Sequence, residues 1–180
     1  MNKFQYRLTK DKKNEIAQNL IDILQKDEQI TNQTRTFIIN WLRTGPDEKR
    51  KAFFDVWDIV LKNYLPTTRP ILFRACGRIS KKKKIASFTG KLGFVRRYSD
   101  SNDYLIICDT NEMLQFEERL NRQGNYKYTF YPLADVLRKA RNSDGWGFSE
   151  STLDFIGEDE YIMRINPEYT INCKLAKNDF

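Results

Sequence analysis

The residues in this chain best suited to chemistry are two glutamates separated by one residue, Glu158 and Glu160, in the stretch GEDEYIMRI. On a β-strand, residues i and i+2 point from the same face, with Cβ atoms roughly 6.5 to 7 Å apart. That spacing suits two carboxylates acting on one small polar substrate. The residues that follow Glu160 place apolar side chains on both faces of the predicted strand. We therefore expect a central strand of a sheet, with the two glutamates at its start. Two like charges on a buried strand cost free energy, so we expect a bound ligand or partner that compensates this cost.

The available side chains limit the chemistry further. The chain contains no histidine, which removes the usual general base and any Ser-His or Cys-His nucleophile pair. Its three cysteines, Cys76, Cys108 and Cys173, are far apart with apolar neighbours. We interpret them as reduced core thiols and expect no metal site. An enzyme built from this chain must therefore use carboxylates, arginine, lysine or hydroxyls.

The part of the chain before the predicted strands is predicted to be helical. Apolar residues recur at helical spacing in three stretches of the first 65 residues, which predicts three helices with their apolar faces in the core. A break at Gly45-Pro46-Asp47 separates the second helix from the third. The recurring residues are Ile16, Leu20, Ile23 and Leu24, then Phe37, Ile38, Trp41 and Leu42, then Phe53, Phe54, Trp57, Val60 and Leu61.

After a connector bracketed by Pro66 and Pro70, the apolar runs become short and typical of strands. This order predicts one α+β domain over residues 1–180, with a helical layer at 1–65 and a mixed or antiparallel β core at 66–180. The predicted strands are 71–76, 84–89, 104–108, 126–131, 160–165 and 169–175, with helices at 112–121 and 133–140.

Three motifs stand in order on these strands: LFRA at 72–75, ASFTG at 86–90 and EDEY at 158–161. This order resembles the Arg-Ser-Glu class of mono-ADP-ribosyltransferases. In that family an aromatic-Arg pair ends one strand, a Ser-(Phe/Thr)-(Ser/Thr) motif opens another, and Glu-x-Glu begins a later one. The resemblance spans residues 71–175. It has one departure, since the segment between Arg74 and Ser87 is short where the family usually inserts a helix and several turns.

The resemblance implies an ADP-ribosyltransferase fold and an enzyme that transfers ADP-ribose from NAD, its substrate, to a macromolecule. Breaking the nicotinamide-ribose bond develops an oxocarbenium ion, which a nearby carboxylate stabilises electrostatically. By resemblance, Glu160 takes that role and hydrogen-bonds the ribose hydroxyl beside the reacting carbon. Glu158 would hold or deprotonate the acceptor, and a glutamate at this position implies an arginine of a host protein.

The resemblance also implies the residues that bind NAD. Pyrophosphate needs a cation, and a guanidinium can bind its oxygens with two parallel hydrogen bonds, so Arg74 fits that need. Ser87 would orient Glu160 through its hydroxyl, while Phe88 and Thr89 complete the cofactor-binding strand. The family includes binary-toxin catalytic chains and phage enzymes that modify host proteins. It therefore suggests a toxin or phage effector that acts in a host cytoplasm.

The segment 141–157, just before the Glu-x-Glu motif, has three glycines and the aromatic residues Trp146 and Phe148. We expect a mobile loop whose exposed aromatics recognise the acceptor, as the corresponding family loop does. The alternative is that both aromatics collapse onto the domain.

Charge supports a different function. The net charge is +7, the isoelectric point is near 9.3, and four lysines stand together at 81–84. These features favour a nucleic-acid-binding or nucleic-acid-modifying protein as one alternative. A transferase-fold interaction module without turnover is another, which the short segment before Ser87 permits. With no apolar run near 18 residues and no signal-type segment, we expect a cytoplasmic, monomeric protein without membrane contact.

Overall fold

The structure, a computed structural model, describes residues 6–45, 49, 51–80, 82, 84–100 and 102–176. Helices precede an antiparallel six-stranded sheet, so the predicted α+β class is confirmed. None of the helices in these ranges has an apolar stretch long enough to cross a membrane.

The three predicted N-terminal helices are α1 (Lys10–Gln25), α2 (Asn32–Arg43) and α3 (Lys51–Asn63). The hydroxyls of Thr9 and Thr31 accept hydrogen bonds from backbone N–H groups in the first turns of α1 and α2. These caps satisfy donors that would otherwise lack a partner at a helix start. In the predicted break, Gly45 follows α2, whereas Pro46 and Asp47 lie outside the described residues.

An aromatic cluster joins the helical layer to the sheet. Trp41 of α2 and Trp57 of α3 pack edge to face with ring centroids 5.6 Å apart, and both are fully buried. Tyr131 packs on Trp57 and donates its hydroxyl hydrogen to the Leu20 carbonyl at 2.6 Å. Because edge-to-face aromatic packing has a preferred geometry, these contacts fix the position of Trp41 against the sheet.

The strands of the sheet are β1 (Ile71–Cys76), β2 (Ile85–Thr89), β3 (Tyr104–Asp109), β4 (Phe130–Tyr131), β5 (Glu160–Arg164) and β6 (Thr170–Lys174). They have the order β4-β5-β2-β1-β3-β6, and every neighbouring pair is antiparallel. β5 lies between β2 and β4, which confirms the expected interior strand, and Ile162 and Met163 are fully buried on its two faces.

Strands β1 and β2 pair at a single position, Phe73 with Thr89. Toward the end of β1 the ladder is replaced by a side-chain contact, in which Arg74 Nη1 donates to the Ser87 carbonyl at 2.8 Å. The sheet is therefore open between these two strands, and the guanidinium of Arg74 lies in the opening.

The strand predicted at 126–131 is reduced to two residues. Backbone N–H groups of Lys127 and Tyr128 donate to Oε1 of buried Glu117 at 2.8 Å each, and Arg122 forms an ion pair with the same carboxylate. Because a carboxylate holds these donors, the segment cannot use them in a strand ladder.

The described residues contain four further α-helices, α4 (Leu92–Tyr98), α5 (Thr110–Arg119), α6 (Leu133–Arg141) and α7 (Glu150–Leu153). α4, α5 and α6 pack on the sheet, and α7 packs on α6. The two predicted helices appear as α5 and α6, whereas α4 and α7 lie where no helix was predicted.

Candidate active site

A cavity of about 460 Å³ lies between the helical layer and the region where β1, β2 and β5 meet. It contains the catalytic pair expected from the sequence together with the expected cofactor-binding residues. Its lining includes Arg74, Ser87, Phe88, Thr89, Glu158 and Glu160.

The two glutamates reach this cavity by a different geometry from the one predicted. Glu160 is the first residue of β5, but Glu158 ends a 3₁₀ helix (Asp154–Glu158), and Asp159 between them is left-handed, with φ 48° and ψ 56°. The expectation that both lie on one strand face is therefore wrong. The reversal at Asp159, a residue type that tolerates this conformation, turns Glu158 toward the cavity instead.

The left-handed turn is held from two sides. Arg138 Nη2 contacts Asp159 Oδ1 at 2.5 Å, and the Gly90 N–H donates to the Asp159 carbonyl at 3.2 Å. A Cβ on Gly90 would press against the Asp159 carboxylate, so a larger residue here would displace the group that Arg138 holds. The glycine that closes the ASFTG motif thus allows the Glu-x-Glu turn to approach β2.

Polar groups of two other elements contact the carboxylate of Glu160. Its Oε1 accepts hydrogen bonds from Ser87 Oγ at 2.5 Å and from Trp41 Nε1 at 2.9 Å. Burial raises the pKa of Glu160, while these two hydrogen bonds and the charges of Lys49 and Arg74 act to lower it. Both hydrogen bonds from described residues go to Oε1, so Oε2 is available to a ligand.

Glu158 is less enclosed. Burial raises its pKa, and the neighbouring charge of Glu160 raises it further. Thr89 Oγ1 donates to the Glu158 carbonyl at 2.7 Å, so Thr89 holds the backbone of this residue. A carboxylate with a raised pKa beside a second carboxylate is suited to accept a proton from a bound group.

Phe88 borders the cavity, but its side chain is only 2% exposed and packs in the core with Leu72 and Met163. Alternate residues of a strand face opposite sides, and Ser87 and Thr89 occupy the cavity side of β2. The predicted role of the Phe88 side chain in binding the cofactor is therefore corrected to core packing.

Arg74 is half-buried and donates one hydrogen bond, to the Ser87 carbonyl. Burial lowers the pKa of its guanidinium, while nearby Cys76 and Glu160 raise it. A guanidinium has five N–H donors and stays protonated, so most of its donors can bind an anion in the cavity.

Two cavity residues were not identified from the sequence as functional, Trp41 and Lys49. Lys49 Nζ donates to the carbonyls of Trp41, at 2.5 Å, and of Thr44, at 3.0 Å, and lies 3.6 Å from the Trp41 ring centroid. Burial lowers the pKa of Lys49 to about 8, against the opposing effect of Glu160. In the sequence, Trp41 belongs to an apolar helical pattern that indicates a packing role. Only its indole N–H, which needs a hydrogen-bond partner when it is buried, indicates a further role.

The expectation that residues 141–157 form a mobile loop with exposed aromatics is wrong. Trp146 and Phe148 are only 8% and 7% exposed and belong to the core of the helical layer. Gly145 and Gly147 have positive φ, which lets the chain fold both rings inward, and Arg35 Nε donates to the Trp146 carbonyl at 2.5 Å. The glycines therefore permit a fixed turn, and neither aromatic can recognise an acceptor from the surface.

Comparison with protein-family models, with curated proteins and with solved structures finds no match to this chain. Functional assignment therefore depends on the geometry and chemistry of the cavity.

Proposed function

We propose that this protein is an enzyme that transfers ADP-ribose from NAD to a macromolecular acceptor. The observation that carries the proposal is the convergence on Glu160. A hydroxyl from Ser87 and an indole N–H from Trp41 hold one oxygen of this carboxylate, in a cavity that also contains Arg74 and Glu158. The three sequence motifs of the Arg-Ser-Glu class thus meet at one carboxylate.

Glu160 would act on the bond between nicotinamide and ribose. When that bond breaks, nicotinamide leaves with the bonding electron pair and positive charge develops on the ribose ring. A carboxylate already oriented by Ser87 and Trp41 stabilises that charge without reorganisation, and exclusion of water strengthens the effect. The free Oε2 atom is in a position to accept a hydrogen bond from a ribose hydroxyl.

The groups around Glu160 partly offset the effect of burial, although its pKa stays raised on balance. Desolvation favours the neutral acid, whereas both hydrogen bonds and the cations Lys49 and Arg74 favour the carboxylate. A partly buried cation also suits the substrate, because pyrophosphate oxygens bind a guanidinium bidentately. Arg74 would therefore bind the pyrophosphate while contributing to the ionisation of Glu160.

Glu158 would act on the acceptor. Its raised pKa suits a base that takes a proton from the attacking nitrogen, which then forms a bond to the ribose carbon that nicotinamide has left. The resemblance favours an arginine of a host protein as that nucleophile. We place the reaction in a cytoplasm, with the chain acting as a monomeric effector of toxin or phage type.

The direct test supplies purified protein with NAD labelled in its adenylate half, with and without a cell lysate. We expect release of nicotinamide in both reactions and label bound to a macromolecule only with lysate. Protease or nuclease digestion of the labelled product then distinguishes a protein acceptor from a nucleic acid. Absence of nicotinamide release in both reactions would contradict the proposal.

Arg74→Ala is expected to weaken NAD binding by about 1.5 to 3 kcal/mol, the range for a hydrogen bond to a charged group. The change removes the guanidinium from the cavity wall and leaves Glu160, Ser87 and Trp41 in place. Isothermal titration calorimetry with NAD measures the effect. Arg97→Ala, which removes an exposed arginine from α4, is the matched control and should bind NAD like the wild type. Equal affinities for all three proteins would exclude Arg74 as a pyrophosphate ligand.

A further inference from the structure

A second cavity, of about 670 Å³, opens where β1 and β2 separate. It meets the first cavity at four shared lining residues, Trp41, Lys49, Arg74 and Ser87. The two cavities differ in charge, because both carboxylates of the catalytic pair line only the first. A ligand in the second cavity would therefore meet Arg74 and other cations without lying against either glutamate.

The wall of the second cavity is strongly basic. Five cationic residues line it, and none of its described lining residues is a carboxylate. Three of the five already have partners, since Arg164 forms an ion pair with Asp58, Lys49 is bound to two carbonyls and Arg74 donates to the Ser87 carbonyl. The five residues are Lys49, Arg74, Arg78, Lys84 and Arg164.

Arg78 and Lys84 are the cations that the fold does not use. Both side chains are exposed, and neither has a hydrogen-bond or ion-pair partner among the described residues. They lie on the two arms of the connection between β1 and β2, whose intervening sequence contains Lys81, Lys82 and Lys83. Of these lysines the structure describes Lys82, which is exposed like Arg78 and Lys84, so positive charge extends beyond the cavity lining, farther than a single small anion requires.

We propose that the second cavity binds a phosphate group of a single-stranded nucleic acid, with Arg78 and Lys84 as its main contacts. Arginine binds phosphate oxygens bidentately, and a row of cations matches the regular charge of a phosphodiester chain. Apolar side chains, including Phe54 and Ile165, also line the cavity and offer surface to one unstacked base. A concave pocket admits a splayed base from a single strand, whereas the paired bases of a duplex stay stacked and cannot enter it.

The proposal does not depend on ADP-ribosyl transfer, because it concerns binding in the absence of NAD. The test measures fluorescence anisotropy of a labelled 12-nucleotide oligouridylate at several salt concentrations. The variant is Arg78→Gln with Lys84→Gln, and the control is Lys10→Gln with Lys12→Gln, which removes the same charge from an exposed part of α1. Melting temperatures establish that both variants are folded.

The cavity variant is expected to bind the oligonucleotide at least tenfold more weakly than the wild type. The slope of log K against log salt should become shallower by about 1.4, since each lost phosphate contact on a single strand is worth about 0.7. The control should bind within twofold of the wild type. Nicotinamide release from NAD should be unchanged in the cavity variant, because neither residue belongs to the first cavity.

Three results would overturn the proposal. Equal weakening in the two variants would show that only net charge attracts the strand. Equal affinity for a duplex of the same length would exclude recognition of a splayed nucleotide. A raised KM for NAD with unchanged oligonucleotide binding would assign the cavity to the dinucleotide. Oligonucleotide binding with the expected variant pattern but no nicotinamide release would support this site and contradict the proposed transferase activity.

Discussion

Glu160→Gln is expected to lower the rate of nicotinamide release from NAD by at least about 100-fold, the effect of losing one preorganised electrostatic group. The amide oxygen of glutamine can still accept the hydrogen bonds from Ser87 Oγ and Trp41 Nε1, which both go to Oε1 in the wild type. The substitution therefore removes the charge and preserves the position of the side chain. Steady-state assays of nicotinamide release and of label transfer measure the loss, which should appear in both.

Glu158→Gln is the matched control, because it makes the same chemical change at the other end of the Asp159 turn. It should reduce transfer to the acceptor by a similar factor while sparing hydrolysis of NAD, in which water replaces the acceptor. If both variants lost hydrolysis equally, the division of roles between the two glutamates would be wrong.

The stability of Glu160→Gln provides a further check. Burial raises the pKa of Glu160 above that of an unfolded chain, so the folded state favours the protonated acid. That contribution to the free energy of unfolding is present below the unfolded pKa and is lost as pH rises through the raised folded pKa. Glutamine resembles the neutral acid that the folded state favours, so Glu160→Gln should melt at the wild-type temperature or above it at pH 7.5. A lower melting temperature would mean that lost activity reflects damage to the fold.

The pattern of apolar residues predicted most of the architecture because it records which faces are buried. The spacing of Phe37, Ile38 and Trp41 predicts α2, and the apolar residues on both faces after Glu160 predict an interior β5. The same reasoning placed Glu158 on that strand, where it does not lie. Ion pairing of Asp159 with Arg138 of α6 holds the turn, and no local pattern reports a contact between residues so far apart.

The site was only partly predictable for a related reason. Linear motifs can identify Arg74, Ser87 and Glu160, because each motif is a short contiguous run of residues. Trp41 and Lys49 come from the helical layer, and their relation to Glu160 exists only after that layer packs on the sheet. The helical layer therefore completes the site in addition to covering the sheet.

Phe148→Ala and Trp146→Ala are each expected to lower the free energy of unfolding by about 3 to 5 kcal/mol, the cost of truncating a buried aromatic residue. Both rings lie in the core of the helical layer, where little solvent reaches them. For a domain of this size, the loss should lower the melting temperature by at least about 6 °C. Thermal denaturation followed by circular dichroism measures it.

Leu120→Ala is the control, because Leu120 is 47% exposed at the end of α5. Its free energy of unfolding should change by no more than about 0.5 kcal/mol, as for most surface positions. Near their lowered melting temperatures, the two aromatic variants should lose hydrolysis and transfer in equal proportion, because the folded fraction falls. Unchanged melting with a selective loss of transfer would instead indicate that the turn around Gly145 and Gly147 opens in solution and presents its aromatics to the acceptor.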